Sequence, residues 1–357
     1  MPSNPTGPGS RRSRHASIVD VAALAGVSAA TVSRSLRGHS NVSPATRQRV
    51  LEAARELSYV ISPQASGLAS GRTGTIGIVV PFITRWFFAN AVAGASNVLR
   101  EAGYDVLLHH LGSAAARDRF FERMPLARRV DAVLTVSLPL AEDHTLALRA
   151  LDMPLVTVGA RMPGLTCVRI DDVAAASSAV YHLLHQGHEK IVMIAGFDED
   201  KGFGFASSAD RRRGFADAMV SAGLEVGEQT IMVASAYGIE GGAQAMNELL
   251  AGPRLPTAVV AEYDELAIGA MRSLRRAGIP VPGRMSVVGI DDHEMASVVD
   301  LTTVGQPVQE EGATAARLLL ETLGERPPQP ADVVLPTRLV VRGSTGSPIS
   351  GRAPRLS

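Results

Sequence analysis

At 357 residues the chain is long enough for two or three domains, and with 46% apolar residues it can bury a sizeable core. A formal net charge of 0 conceals an asymmetry. Residues 1–72 hold nine arginines and three acids and carry +6, whereas the rest holds 26 basic and 32 acidic residues and carries −6. A basic segment attached to an acidic body favours a polyanionic partner such as nucleic acid. A single cysteine, Cys167, excludes a disulfide framework and a zinc-finger site.

The sequence indicates neither an export signal nor a membrane-spanning helix. Residues 1–16 are rich in Pro, Ser, Gly and Arg and predict a disordered basic arm rather than a signal peptide. The longest apolar runs, such as 130–136 and 190–195, are far shorter than the ~20 residues that a membrane-spanning helix needs. We therefore expect a cytoplasmic protein.

Residues 17–61 contain three short helical patterns, which predict a small all-α domain. The first pattern ends at Gly26, the second begins at Ser28, a good N-cap, and the third begins at Ser43 with Pro44 in the first helical position. The apolar faces comprise Ile18, Val21, Ala22 and Ala25, then Val32 and Leu36, then Val50, Leu51, Ala54 and Leu57.

The first two of these helices have the spacing of a helix-turn-helix, with the turn at Gly26. In that motif the second helix enters the major groove of DNA by its N-terminal residues. Ser28, Thr31 and Ser33 can donate to phosphates, and Arg34, one turn further on, can reach a guanine edge. The alternative is a structural three-helix bundle with a solvated Arg34, but the basic charge and the order of the turn favour DNA binding.

From Thr75 onward, strand-like runs alternate with helical segments. Near-continuous Val, Ile and Leu runs between helices predict parallel strands covered on both faces, and hence a doubly wound α/β architecture of two similar lobes. A tail at 343–357 predicts disorder. The strand-like runs are TIGIVVP, YDVLLHH, VDAVLTV, PLVTVG, KIVMIAG, TIMVAS, TAVVAE and MSVVGI, and the helices lie at about 87–102, 114–127, 173–186, 210–222, 240–252 and 265–277.

The stretch 17–73 resembles the LacI/GalR family of bacterial transcription regulators, whose heads read roughly VAxxAGVSxxTVSRxLN; Arg37 stands where the family commonly has Asn. Residues 21–36 of this chain read VAALAGVSAATVSRSL, and the likeness continues to SGRT at 70–73. The resemblance implies a small all-α helix-turn-helix head at 17–61 and a hinge at 62–73. It further implies an α/β two-lobed, periplasmic-binding-protein-like domain at 74–342, which binds effector and dimerises.

The resemblance also implies how the head contacts DNA. In the family the two residues after the capping serine choose bases, and here they are Ala29 and Ala30, which offer only methyl contact. Recognition of a specific base sequence must therefore depend on Arg34 and on DNA shape. The expected DNA contacts are Ser17, Ser28, Ala29, Ala30, Thr31, Ser33, Arg34, Asn41, Thr46 and Leu68.

Leu68 lies in the hinge, where Ser62 and Pro63 predict the start of a helix too short to be stable alone. In the family this helix forms on operator binding, and a leucine at the position of Leu68 wedges into the minor groove. A passive linker is the alternative.

For the two-lobed domain the resemblance implies a ligand held in the cleft between the lobes. Open α/β sheets bind ligands beyond the carboxyl ends of their strands, which directs attention to the loops there. The loop after the first strand is rich in aromatic residues, and Phe87 and Phe88 suit the apolar face of a sugar ring or a base. Helix-to-sheet packing is the alternative for either ring.

Two charged residues match the ligand positions of the family. RRRGF at 211–215 fits its pattern RxxGF and makes Arg211 the ligand residue, with Arg212 and Arg213 solvated; the cleft aspartate falls on Asp291. Surface ion pairing is the alternative for Arg211 and Asp291. Other expected contacts are Ser137 and Tyr237, and more weakly Asp171, which follows the strand-like VRI and serves equally well as an N-cap.

Features of other protein classes give no support to a catalytic function. The three histidines His182, His185 and His188 favour a helix-to-strand junction over a metal site, and no phosphate-binding GxxxxGK, GxSxG elbow or CxxC motif occurs. We expect neither a metal nor a cofactor. An α/β enzyme would need residues arranged as a nucleophile, cofactor or metal site, and a transport receptor would need an export signal.

The sequence therefore predicts a ligand-controlled repressor that binds a palindromic, double-stranded DNA operator as a homodimer. A sugar or sugar derivative is the expected effector, and a nucleobase or nucleoside is the alternative because of the aromatic loop. Whether the ligand releases or promotes DNA binding stays open, and the absence of C-terminal apolar heptads argues against a tetramer.

Overall fold

The computed structural model describes residues 16–36, 41–59, 72–138, 142–162, 164–197, 203–227, 229–324 and 328–348. The chain divides into two compact units, Met1–Thr73 and Gly74–Ser357, which we call the head and the body. The predicted arm before residue 16 and most of the predicted hinge, including Leu68, lie outside the described residues.

The head consists of three helices, as the apolar patterns predict. They are α1 (Ile18–Ala25), α2 (Ala29–Leu36) and α3 (Pro44–Glu56). Gly26 ends α1 with a φ of 64°, a left-handed conformation that favours glycine. The buried core of the head comprises Val21, Ala22, Ala25, Val32, Val50, Ala53 and Ala54.

A serine caps each helix of the head by accepting a backbone hydrogen bond from the first turn. Ser17 forms a capping box with Asp20 at the start of α1. At α2, Ser28 Oγ accepts from the Thr31 N–H at 3.2 Å, and at α3 a similar bond joins Ser43 to Thr46. Such caps each contribute about 1 kcal/mol, so the short helices are fixed at their start.

The described residues of the body contain twelve strands and nine helices. The strands are β1 (Thr75–Val80), β2 (Asp105–His110), β3 (Ala132–Val136), β4 (Leu155–Val158), β5 (Thr166–Arg169), β6 (Ile191–Ala195), β7 (Ile231–Val233), β8 (Ala258–Ala261), β9 (Ser286–Asp291), β10 (Thr302–Gly305), β11 (Asp332–Val334) and β12 (Arg338–Val340). The helices are α4 (Trp86–Glu101), α5 (Ala114–Arg123), α6 (Glu142–Arg149), α7 (Asp172–His185), α8 (Ala206–Ser221), α9 (Gly238–Ala251), α10 (Asp264–Arg276), α11 (Glu294–Val298) and α12 (Val308–Thr322).

Two six-stranded sheets form the two predicted lobes. The first has the order β11-β5-β4-β3-β1-β2 and the second the order β12-β10-β9-β8-β6-β7. All pairs are parallel except the edge pair β10 and β12. Helices pack on both faces of each sheet, and the apolar strand residues are buried between them. Both lobes are thus doubly wound, as predicted.

The chain passes between the lobes three times. Residues 170–171 connect β5 to α7, residues 306–307 connect β10 to α12, and residues 335–337 connect β11 to β12. As a result α12 packs against the first sheet although it follows a strand of the second. These crossings bring side chains of both lobes to one region between the sheets.

The predicted tail does not begin at residue 343. Ser344 is 1% exposed, and its hydroxyl donates to the carbonyl of Val287 at 2.6 Å. The carbonyl of Gly346 lies 2.8 Å from Nε2 of His188, and Thr345 bonds to His182. The small polar residues here resemble disorder in composition, but they hydrogen bond to the second lobe as far as Gly346.

Among the described residues no single helix is long and apolar enough to cross a membrane, although α1 and α2, bent by 98°, reach that length and composition together. Within the same residues no group of three or more His, Cys, Asp or Glu side chains is arranged to hold a metal ion.

Candidate functional site

The outward side of α2 carries the residues expected to contact DNA. Val32 and Ser35 face the core, whereas Ala30 and Arg34 are exposed. The Nε of Arg34 donates to the carbonyl of Ala30 at 3.3 Å, so the guanidinium group lies against its own helix. The side of α2 that would face a groove therefore offers small residues and one long donor.

Several of the expected DNA-contacting hydroxyls already cap helices. Ser17 Oγ donates to the Asp20 carboxylate at 2.7 Å, which uses its proton. The hydroxyls of Ser28 and Thr31 share one hydrogen bond of 2.9 Å, so one proton of this pair is left for a phosphate oxygen. Thr46 is half-buried behind Ser43, and Asn41 is exposed.

A cavity of about 780 Å³, counting its open mouth, lies between the two lobes of the body. Six of the seven residues expected to bind effector line it: Phe87, Phe88 and Ser137 from the first lobe, and Arg211, Tyr237 and Asp291 from the second.

Asp171, the seventh expected residue, does not line the cavity. It is exposed and caps α7, where its Oδ1 accepts from the Ala174 N–H at 3.0 Å. The next residue, Asp172, lines the cavity instead. In this conformation Asp171 is therefore an N-cap and not part of the cavity wall.

Arg211 is buried in the cavity wall at 7% exposure, so surface ion pairing does not describe it. Its Nε donates to Asp172 at 2.8 Å, and its Nη1 donates to the carbonyl of Glu262 at 2.7 Å. The same Nη1 lies 3.6 Å from Oδ1 of Asp291. The guanidinium group thus links α8 to α7 and to the end of β9.

Asp291 ends β9 in a strained conformation. Its φ is 137°, which is unusual for a residue with a side chain and costs about 1–3 kcal/mol. The amide of Gln306 donates to its Oδ1 at 2.6 Å. Burial raises the pKa of Asp291 to about 8, and the neighbouring Arg211 opposes that rise. Strain of this kind is typical of functional sites.

Aromatic rings form another part of the wall. Tyr237 stacks on Tyr263 with ring centroids 5.3 Å apart and an interplanar angle of 20°. The guanidinium of Arg85 lies 3.9 Å from the Tyr237 ring and 3.6 Å from the ring of Phe82 in the first lobe. Burial raises the pKa values of both tyrosines, so their hydroxyls stay protonated, and Tyr237 donates to Glu265 at 2.6 Å.

Gly159, with a φ of 75°, allows the first-lobe wall to pack closely. A Cβ here would lie 2.3 Å from Ser137 Oγ and 3.1 Å from the ring of Phe87. Any side chain would displace two residues that line the cavity.

Further contacts between the lobes come from the segment 203–205, which precedes α8 of the second lobe. Phe203 packs edge-on against Phe82, with ring centroids 5.3 Å apart, and belongs to an apolar cluster of the first lobe. Trp86 donates a hydrogen bond to Glu294, from α4 across to α11. The described conformation therefore has the lobes in contact around the cavity.

Sequence reasoning missed most of the acidic residues that line the cavity. These are Asp172, Glu262, Glu265 and Glu311. Arg212, expected to be solvated, donates to the carbonyl of Gly196 at 3.1 Å and lies 3.5 Å from Glu262. For Glu311 the sequence does contain a sign of burial. It is spaced from Val308 and Ala315 as residues on one face of a helix are, and that face of α12 is buried.

The arrangement is suited to binding rather than to reaction. Aromatic faces can pack on an apolar ring face, while carboxylates accept hydrogen bonds from hydroxyl or amino groups and Arg211 donates. Such a mixture of apolar wall and a few converging polar groups is usual in ligand pockets.

Comparison with known proteins matches both units. The family model described as bacterial regulatory proteins, lacI family, matches residues 17–62, and the model described as a periplasmic binding protein-like domain matches residues 180–345. Catabolite control protein A of Priestia megaterium is 31% identical over 335 residues, which cover 92% of this chain and 98% of that protein.

Two solved structures cover almost the same span. The complex of the transcriptional regulator CelR with cellobiose is 32% identical and covers 92% of this chain and 99% of that one, with a TM-score of 0.68. The lac repressor dimer bound to operator and the anti-inducer ONPF is 26% identical and covers 94% and 100%, with a TM-score of 0.82. This chain therefore belongs to the lacI family of bacterial regulatory proteins, a family of DNA-binding transcription regulators and not of enzymes.

Proposed function

We propose that this protein is a cytoplasmic, homodimeric repressor whose affinity for a palindromic operator is set by a small molecule in the cavity between the lobes. The observation that carries the proposal is the cavity itself. It combines stacked aromatic rings with buried charged groups in a chain that also has a helix-turn-helix head. Action on chromosomal DNA requires the cytoplasm.

A dimer follows from the way such heads bind DNA. One small head buries little surface on the duplex. When two heads bind the two half-sites of a palindrome, their discrimination factors between operator and other sequences multiply. The lac repressor to which this chain is similar is a dimer on its operator. The proposed DNA contacts are Ser17, Ser28, Ala29, Ala30, Thr31, Ser33, Arg34, Asn41, Thr46 and Leu68.

The effector that this site fits best is a sugar or sugar derivative. A sugar ring presents an apolar face to aromatic residues such as Phe87 and Phe88, and hydroxyl groups to Asp291 and Ser137. The similar regulator CelR has been solved with cellobiose. The proposed effector contacts are Phe87, Phe88, Ser137, Arg211, Tyr237 and Asp291.

A nucleobase or nucleoside is the second candidate. It is favoured by the stack of Tyr237 on Tyr263 and by the Arg85 guanidinium that lies over the Tyr237 ring. A flat heterocycle can extend such a stack.

The test is a thermal-shift screen of sugars and nucleosides on the full-length protein. A ligand at 100 times its Kd adds about 2.7 kcal/mol to stability, which raises the melting temperature measurably. The variant Asp291→Asn is the control, because it keeps the size of the side chain and removes a carboxyl group from the cavity wall. A ligand that stabilises both proteins equally binds elsewhere, and stabilisation by no member of either class contradicts the proposal.

A further inference from the structure

Glu311 is a buried carboxylate to which no group in the described part of the chain donates a hydrogen bond. It lies in the first turn of α12, directly after the crossing from the second lobe, and is 0% exposed. Neither of its carboxylate oxygens has a hydrogen-bond partner among the described residues. A buried polar group without a partner is destabilising, and a buried charge without one is more so. The chain keeps such a group at the wall of the cavity.

The groups around Glu311 cannot neutralise it. The charged residues that act on it are Asp172 of α7, Arg211 of α8 and Asp291 of β9. Arg211 is already hydrogen bonded to Asp172 and lies 3.6 Å from Asp291. Among these described groups three carboxylates thus face one guanidinium, and Glu311 is the carboxylate left over.

The cavity as a whole has the same imbalance. Its described lining contains five carboxylates and two guanidinium groups, and neither lysine nor histidine. The acids are Asp172, Glu262, Glu265, Asp291 and Glu311, and the bases are Arg85 and Arg211. Because this lining offers more carboxyl oxygens than donor groups, it suits a ligand that brings N–H donors, such as an amine, better than an anionic ligand such as a sugar phosphate.

We propose that Glu311 is a specificity-determining residue, and that the effector carries a basic amine, as an amino sugar does, which pairs with this carboxylate at the buried end of the cavity. An ammonium group supplies both the charge and the donors that Glu311 lacks. The inference rests on the proposed function, because it takes the cavity to be the effector site.

The experiment compares matched sugars on the full-length protein by isothermal titration calorimetry. Glucosamine, galactosamine and mannosamine carry the amine, their N-acetyl forms keep the nitrogen without its basicity, and glucose, galactose and mannose replace it by a hydroxyl. We expect one amino sugar to bind about tenfold more tightly than both of its matched partners, the gain usual for a hydrogen bond to a charged group.

The variant Glu311→Gln should abolish that preference while it keeps the volume of the side chain. Glu310→Gln is the matched control, because Glu310 is the preceding residue of α12, is exposed and pairs with Arg317 at 2.8 Å. It should keep the preference in full. The comparison of sugars on the unaltered protein needs no variant, so a folding defect in Glu311→Gln would not prevent a result.

The proposal is overturned if no amino sugar binds more tightly than its two partners, or if Glu311→Gln keeps the preference. Measuring operator affinity with each sugar distinguishes failure of the amine preference from failure of the proposed function. If neutral sugars change operator affinity without any amine preference, the proposed function stands and the role of Glu311 fails. If the preference appears but operator affinity never changes, Glu311 binds amines and the regulatory function fails.

Discussion

Asp291 and Glu311 are surrounded in the folded protein by groups that favour their protonated forms. Burial is the main cause for both, and the neighbouring carboxylates add to it. The pKa of each rises to about 8, although Arg211 opposes the rise. In an unfolded chain both would ionise at a much lower pH. Between the lower pKa of each group in the unfolded chain and its higher pKa in the folded protein, the folded state holds protons that the unfolded state releases.

Stability should therefore fall as pH rises from about 4.5 to about 8. For Glu311 alone the loss is at most about 1.4 kcal/mol per pH unit, because the folded state binds more protons over this range. Glu311→Gln removes that contribution, so the variant should gain stability relative to the unaltered protein between pH 6 and pH 8.5. The measurement is urea denaturation at both pH values.

Glu310→Gln serves as the control for this measurement as well. Its exposed carboxylate has a lowered pKa because Arg317 and Thr314 donate to it, so it does not titrate between pH 6 and pH 8.5. A parallel loss of stability in Glu311→Gln and in the unaltered protein over this range would show that Glu311 does not titrate there.

At the scale of elements, α2 combines a fixed start with a sparse outward face. The hydrogen bond from the Thr31 N–H to Ser28 fixes its first turn, and Ala29 and Ala30 can make only apolar contacts. Arg34 is the one long polar side chain in the described residues of this helix. Sequence discrimination by α2 should consequently depend on Arg34.

We expect Arg34→Ala to weaken operator binding by about 1–3 kcal/mol per half-site and to relax specificity at one base pair. Arg55→Ala, which removes an exposed arginine from the last turn of α3, is the control for loss of charge. Both variants are measured by fluorescence anisotropy on operator and on random DNA. Equal weakening on the two DNAs by Arg34→Ala would mean that Arg34 contacts only phosphate.

The sequence predicts some elements of the body well and others not at all. The eight strand-like runs form strands because buried parallel strands need continuous apolar residues, which the sequence displays. It does not indicate β10, β11, β12 or the helices α6, α11 and α12. Two of these strands have three residues, and α12 contains small residues, glycine and a buried glutamate in place of a clear apolar stripe.

These unpredicted elements explain why Gln306 and Glu311 are missing from the predicted site. Gln306 lies in the crossing from β10 to α12 and Glu311 in the first turn of α12, so the contact of Gln306 with Asp291 and the approach of Glu311 to Arg211 depend on the passage of the chain between lobes. No local pattern encodes such a meeting. By contrast, Arg211 and Asp291 belong to short motifs that the family resemblance identifies, and both line the cavity.

At the scale of the whole molecule, the proposed control requires that ligand binding and operator binding favour particular lobe arrangements. Arg211 and Asp291 belong to the second lobe, while Phe87 and Phe88 belong to the first, so a ligand that contacts both sets favours one arrangement. The segment 62–73 joins the head to β1 of the first lobe. Ligand can shift operator affinity only by its preference between the arrangements, typically about 1–3 kcal/mol.

The most direct test is the affinity for operator DNA with and without a saturating ligand from the thermal-shift screen, measured by fluorescence anisotropy on the full-length protein. We expect the ligand to change the Kd about 5- to 150-fold in the unaltered protein. The change should be lost in Asp291→Ala, which removes a carboxylate from the cavity. An operator Kd that the ligand leaves unchanged, or a full change in Asp291→Ala, would contradict control of DNA binding from this cavity.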